Sequence, residues 1–101
     1  MAKKFVSTDR KGFTMTFANG LIASVQWGKG NYCQNYYKAE QAMHCDGAMC
    51  DTAEVSVWKE NGDWLNACNF VTDDVSGYDV CGHMTPEQVV EFLHNVATAT
   101  L

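Results

Sequence analysis

Seven consecutive residues, Trp27-Gly28-Lys29-Gly30-Asn31-Tyr32-Cys33, hold the densest set of recognition chemistry in this chain. Two glycines flanking a lysine can turn backbone N–H groups toward an anion, and the Lys29 ammonium adds charge. Trp27 and Tyr32 offer flat faces on which a base can stack. The run is not a P-loop, because no Gly-Lys-Ser/Thr opens a helix, and it is not a dinucleotide fingerprint. The same glycines equally serve a tight connection that needs positive φ. Ligand binding and backbone geometry therefore both account for this loop.

Four other groups of residues bear on chemistry. Cys45 and Cys50, with Cys81 and His83, supply thiolate and imidazole ligands of the kind tetrahedral zinc takes. Their spacing fits no paired C-x-x-C or H-x3-H pattern, and a core role for Cys68 and Cys81 explains two of the five cysteines as well. Cys33 could act as a nucleophile beside one of three histidines, but no thiol-enzyme signature surrounds it. His94 is expected on a helix surface. Glu54 alternates with Ala53, Val55 and Val57 and so shares a strand face with Ser56 and Trp58, where it would accept hydrogen bonds in a cleft or stand in solvent. Asp73-Asp74 is a loop charge run without the spacing of a calcium loop. Trp27, Trp58, Trp64, Tyr32, Tyr36, Tyr37 and Tyr78 exceed what one small core buries, and such residues favour interfaces.

The elements that position these residues are β-hairpins. Phe13, Met15 and Phe17 alternate with Thr14 and Thr16, the period of a half-buried strand. Asn19-Gly20 separates this run from Leu21–Trp27 and predicts a two-residue turn with positive φ at both central residues. That turn pairs Ala18 with Leu21, Phe17 with Ile22, Met15 with Ser24 and Phe13 with Gln26, and puts Leu21, Ala23, Val25 and Trp27 beside Thr14 and Thr16. Residues 1–11 read as a short strand or extended lead-in whose Lys3, Lys4, Arg10 and Lys11 are solvated. Tyr36–Met43 reads as two helical turns or an ordered loop. Ala53–Trp58 is a third strand, and Asn61-Gly62-Asp63 closes a second hairpin whose return strand runs from Trp64 toward Phe70. Tyr78–Gly82 reads as an edge strand. Thr85-Pro86-Glu87-Gln88 combines an N-cap, a proline at the first helical position and a capping-box glutamine. Val89, Phe92, Leu93 and Val96 form the apolar stripe of the helix that follows, widened by Val90 and Ala97. The expected fold is α+β: a four- to five-stranded, mostly antiparallel sheet with a C-terminal helix on one face.

The 101 residues form one domain with one modest core. No apolar run approaches the about 18 residues of a membrane span, and the basic start is not followed by the apolar stretch of an export signal. Twelve acidic against seven basic residues give a net charge of −5, which argues against a nucleic-acid polymer as partner. An odd number of cysteines without an export signal fits reduced thiols in a cytosol.

The motifs GFTMTFANG, SVQWGKGNYC, AEVSVW, NGDW and V-x-G-x-x-TPEQVVEF together resemble a group of small proteins of tailed bacteriophages and their prophages. The matching segments are Trp27–Cys33, Ala53–Trp58 and Thr85–Val89, and the likeness covers most of the chain from Gly12 onward. The stretch 41–51 departs from the pattern, so a cysteine-based role there would be particular to this chain. The resemblance carries no residue roles. It implies a cytoplasmic accessory factor that binds and blocks a host defence protein. The alternatives are a sponge for a cyclic-nucleotide signal, expected to be a homo-oligomer with Trp27–Cys33, Glu54 and Trp58 as its pocket, and a zinc-stabilised interaction domain. No cofactor other than zinc enters these readings, and no catalytic constellation is completed.

Overall fold

The computed structural model describes residues 3–7, 12–27, 52–71 and 80–100. Among these residues six strands form one sheet: β1 (Lys4–Ser7), β2 (Gly12–Thr16), β3 (Leu21–Gln26), β4 (Ala53–Lys59), β5 (Trp64–Leu65) and β6 (Val80–Met84). Every pairing is antiparallel, in the order β1-β2-β3-β4, and the far edge of β4 is shared by β5 and β6. One α-helix is found among the described residues, α1 (Pro86–Thr98), and it lies on one face of the sheet. This is the α+β arrangement that the sequence leads one to expect.

The first hairpin differs from its expected register by one residue. Phe17 accepts from Gly20 N at 3.0 Å and donates to Leu21 O at 2.9 Å, so the loop is three residues, Ala18-Asn19-Gly20. Gly20 takes φ 92°, whereas Asn19 stays out of the positive-φ region. This is the type I turn closed by a glycine bulge rather than the two-residue turn. A slip of one residue moves a whole strand to the other face. Phe13 therefore opposes Val25 and Met15 opposes Ala23, while Thr14 opposes Ser24 and Thr16 opposes Ile22. Phe13 and Met15 now share the helix-facing side with Leu21, Ala23 and Val25, while Ile22 goes to the other face, and the joining of these two apolar sets is the physical reason this register wins. At the start of β2, Gly12 has φ 155°, and a Cβ there would run into the Val25 carbonyl oxygen.

The core lies between this side of the sheet and α1. Leu21, Ala23, Val55, Val57, Phe92 and Val96 are fully buried, and the Phe92 ring meets Phe70 edge-on at 6.4 Å. The capping box forms as its spacing predicts: Gln88 N donates to Thr85 Oγ1 at 3.2 Å and Thr85 N donates to Gln88 Oε1 at 2.9 Å. The stripe is narrower than expected, because Val90 is 67% exposed and Ala97 also faces solvent. The return strand of the second hairpin stops at Leu65. Asn66 Oδ1 accepts from Cys68 N at 3.1 Å and starts a 3-10 helix, Ala67–Phe70, since a short polar side chain bonded to its own backbone competes with the ladder.

Candidate functional site

With the register settled, the two faces of the sheet carry different chemistry. On the face opposite α1, Thr16, Ile22, Trp58 and Trp64 align across β2, β3, β4 and β5 as one row. The next row is Thr14, Ser24, Ser56 and Val80, and Gln26 opposes Glu54 beyond it. The face thus grades from apolar beside the second hairpin to polar at the opposite end of β4. Thr16, Ser24 and Ser56 on this face are buried, and Gln26 Nε2 donates to Ser24 Oγ at 3.1 Å. The alternation along β4 places Glu54, Ser56 and Trp58 together, as expected.

The apolar row ends in an aromatic pair. The Trp58 and Trp64 rings lie 5.1 Å apart, centroid to centroid, tilted by 34°. Trp58 is half-buried and Trp64 is 51% exposed. Neighbouring indoles on a flat, pleated surface present a rigid area with little side-chain entropy left to lose.

Trp27 is separated from this pair. It continues the parity of Val25, packs against the core on the helix side, and lines a cavity with Phe13 and Met84. Glu54 and Trp58 lie on the other face of the sheet and do not line this cavity. Gly28, Lys29, Gly30, Asn31, Tyr32 and Cys33 lie outside the described residues, as do Cys45, Cys50, Asp73 and Asp74.

The two described members of the proposed zinc set diverge. Cys81 opposes Val55 and is buried in the core. One extra residue on β6 between Cys81 and Met84 makes a bulge opposite Glu54, and there His83 takes φ 55° and is exposed. A bulge of this kind re-aims side chains and ends the simple alternation. Among the described residues, no three His, Cys, Asp or Glu side chains stand close enough to hold a metal ion.

Two residues gain a role that sequence reasoning does not give them. Ile22 joins the tryptophan row only once the register is known. Asn19, read from sequence as a turn residue, also reaches α1: its Nδ2 donates to Val96 O at 2.8 Å and Ala99 O at 3.0 Å, and its Oδ1 accepts from Leu21 N at 3.0 Å. The last carbonyls of a helix lack the usual i+4 partner; Val96 O takes the Ala99 N–H at 3.3 Å, and Asn19 adds a shorter bond from 77 residues away in sequence.

The site so defined is an aromatic row on an antiparallel sheet face, with a separate apolar cavity on the helix side. Compared with known proteins, the chain matches no family model, no curated protein and no solved structure. Among the described residues, no helix is long and apolar enough to cross a membrane.

Proposed function

We propose that this chain acts by binding a protein partner through the Ile22–Trp58–Trp64 row, as a phage accessory protein that inhibits a bacterial anti-phage defence protein. The observation that carries the reading is Trp64, half exposed and stacked beside Trp58 on the face that α1 leaves uncovered. Tryptophans in such positions dominate interface energies. The net charge of −5 favours a partner with a basic surface and speeds their encounter. The resemblance to small phage proteins supports the choice of a host defence protein as that partner.

The test is plaque formation on bacteria that carry single defence systems and express the chain. Plating efficiency should recover on at least one such strain, and the matching defence protein should co-purify in fixed stoichiometry. Trp64→Ala should weaken that complex by about 30-fold, the equivalent of a 2 kcal/mol hot spot, with the thermal midpoint of the free protein nearly unchanged. Recovery that survives Trp64→Ala, or no recovery on any strain, rejects the reading.

A second reading, sequestration of a cyclic-nucleotide signal, rests on Trp27, whose ring offers a base a stacking surface immediately before the Gly28–Cys33 segment. A nucleotide mass retained by a homo-oligomer in native mass spectrometry distinguishes it from protein binding.

A further inference from the structure

At the end of the sheet nearest the first turn of α1 there is a cavity of about 300 Å³. Phe13 and Val25, directly opposed on β2 and β3, form one wall, and Trp27 extends it. Ala53 and Met84, directly opposed on β4 and β6, form the floor, and Val89 lines it from α1. The space opens where β4 places its smallest core residue: Val55 and Val57 are fully buried, and Ala53 is the next position on the same face. Its walls belong to hydrogen-bonded strands and to a helix end held by a capping box, so the space is built into the frame of the fold.

We propose that this cavity is a binding site for a neutral molecule of one or two fused aromatic rings. Size is the first argument. An apolar cavity of about 150 Å³ holds a benzene ring, and ligand sites begin near 300 Å³. Wall chemistry is the second. The Phe13 and Trp27 rings offer edge-to-face partners, and the Met84 thioether packs well against an aromatic edge. Thr52 also lines the space and brings a hydroxyl-bearing residue to an otherwise largely apolar wall. An ionised ligand would lose its hydration against these walls without a paired charge, so the occupant is neutral. The site lies across the sheet from the Trp58–Trp64 row and does not depend on the protein-binding reading.

The test is an NMR titration of the full, uniformly 15N-labelled chain with indole. Saturable amide shifts should centre on Val25, Ala53, Met84 and Val89. Ala53→Leu, which fills the cavity from the floor, should weaken the titration at least tenfold, whereas Trp64→Ala should leave it unchanged. If Ala53→Leu does not fold, Val89→Phe fills the same space from the helix and should weaken it likewise. Shifts centred on Trp64, no saturable shift up to the solubility of indole, or undiminished binding by a folded filling variant would overturn the proposal. None of these outcomes bears on plaque recovery through Trp64, so the two readings fail separately.

Discussion

The β2–β3 turn, Ala18-Asn19-Gly20, and the β4–β5 turn, Glu60-Asn61-Gly62, share one backbone design. In each, the residue before the loop bonds both ways across it: Phe17 with Gly20 and Leu21, and Lys59 with Gly62 and Asp63. Each glycine takes nearly the same φ, 92° at Gly20 and 96° at Gly62. Their surroundings differ. Asn19 ties its turn to the last carbonyls of α1, and Leu21 beyond it is fully buried. Asn61 bonds only within its own turn, donating to Asp63 Oδ2 at 3.2 Å and accepting from Asp63 N at 2.9 Å, all of it exposed. One local sequence code therefore makes two hairpins, one fastened to the core and one left to present Trp58 and Trp64. Stability and recognition are divided between them.

The largest test of that division compares the residues that leave the two turns. Leu21→Ala should cost about 2–5 kcal/mol in chemical denaturation, because it opens a cavity in the core at a fully buried position. Asp63→Ala, at the equivalent position, should change stability by no more than about 0.5 kcal/mol. Comparable losses would show that the second hairpin is anchored as firmly as the first. The asparagines should differ next. Asn19→Ala should cost about 2–3 kcal/mol, since it removes the bonds to Val96 O and Ala99 O and leaves the Leu21 N–H without its Asn19 acceptor in a partly buried place, against less than about 1 kcal/mol for Asn61→Ala. Asn19→Asp sharpens the point. It keeps the acceptor for Leu21 N but cannot donate to the carbonyls, and it sets a negative charge at the negative end of the helix dipole. It should be at least as unstable as Asn19→Ala, whereas Asn61→Asp should be close to neutral. An Asn19→Asp protein as stable as wild type would remove the helix latch from this account.

What the sequence made legible follows the range of the interactions. The capping box of α1 involves residues three apart, and it reads directly from Thr85 and Gln88. The strand containing Glu54, Ser56 and Trp58 reads from alternation alone. The first hairpin reads as a hairpin, but Asn-Gly suits both a two-residue and a three-residue loop, and the choice rests on which register joins Phe13 and Met15 to Val25 and Ala23. That match of apolar faces was present in the sequence as a signal and outranks the turn. Asn66, another short polar residue, signals the early end of β5 in the same way. The reach of Asn19 across 77 residues has no local signature, nor has the bulge at His83. The separation of Trp27 from Glu54 and Trp58 depends on strand parity and pairing together. A candidate site assembled from neighbours in sequence could therefore merge two faces that the sheet keeps apart.

The glycines give the smallest effect and the sharpest control, because the comparison requires them to be equal. At φ 92° and 96° an alanine is strained whatever space surrounds it, and a Cβ on Gly62 would meet no other atom within 4 Å. Gly62→Ala thus isolates backbone strain, expected at about 1–2 kcal/mol for an L-residue in a left-handed conformation. If Gly20 is strained by its turn alone, Gly20→Ala should match that value within about 0.5 kcal/mol in the same denaturation experiment. A larger loss at Gly20 would mean that Asn19 must shift when its neighbour changes, loosening its bonds to Val96 and Ala99. The excess over Gly62→Ala would then measure how strongly the turn and the helix end are coupled, and Asn19→Ala should abolish that excess in a double-mutant cycle.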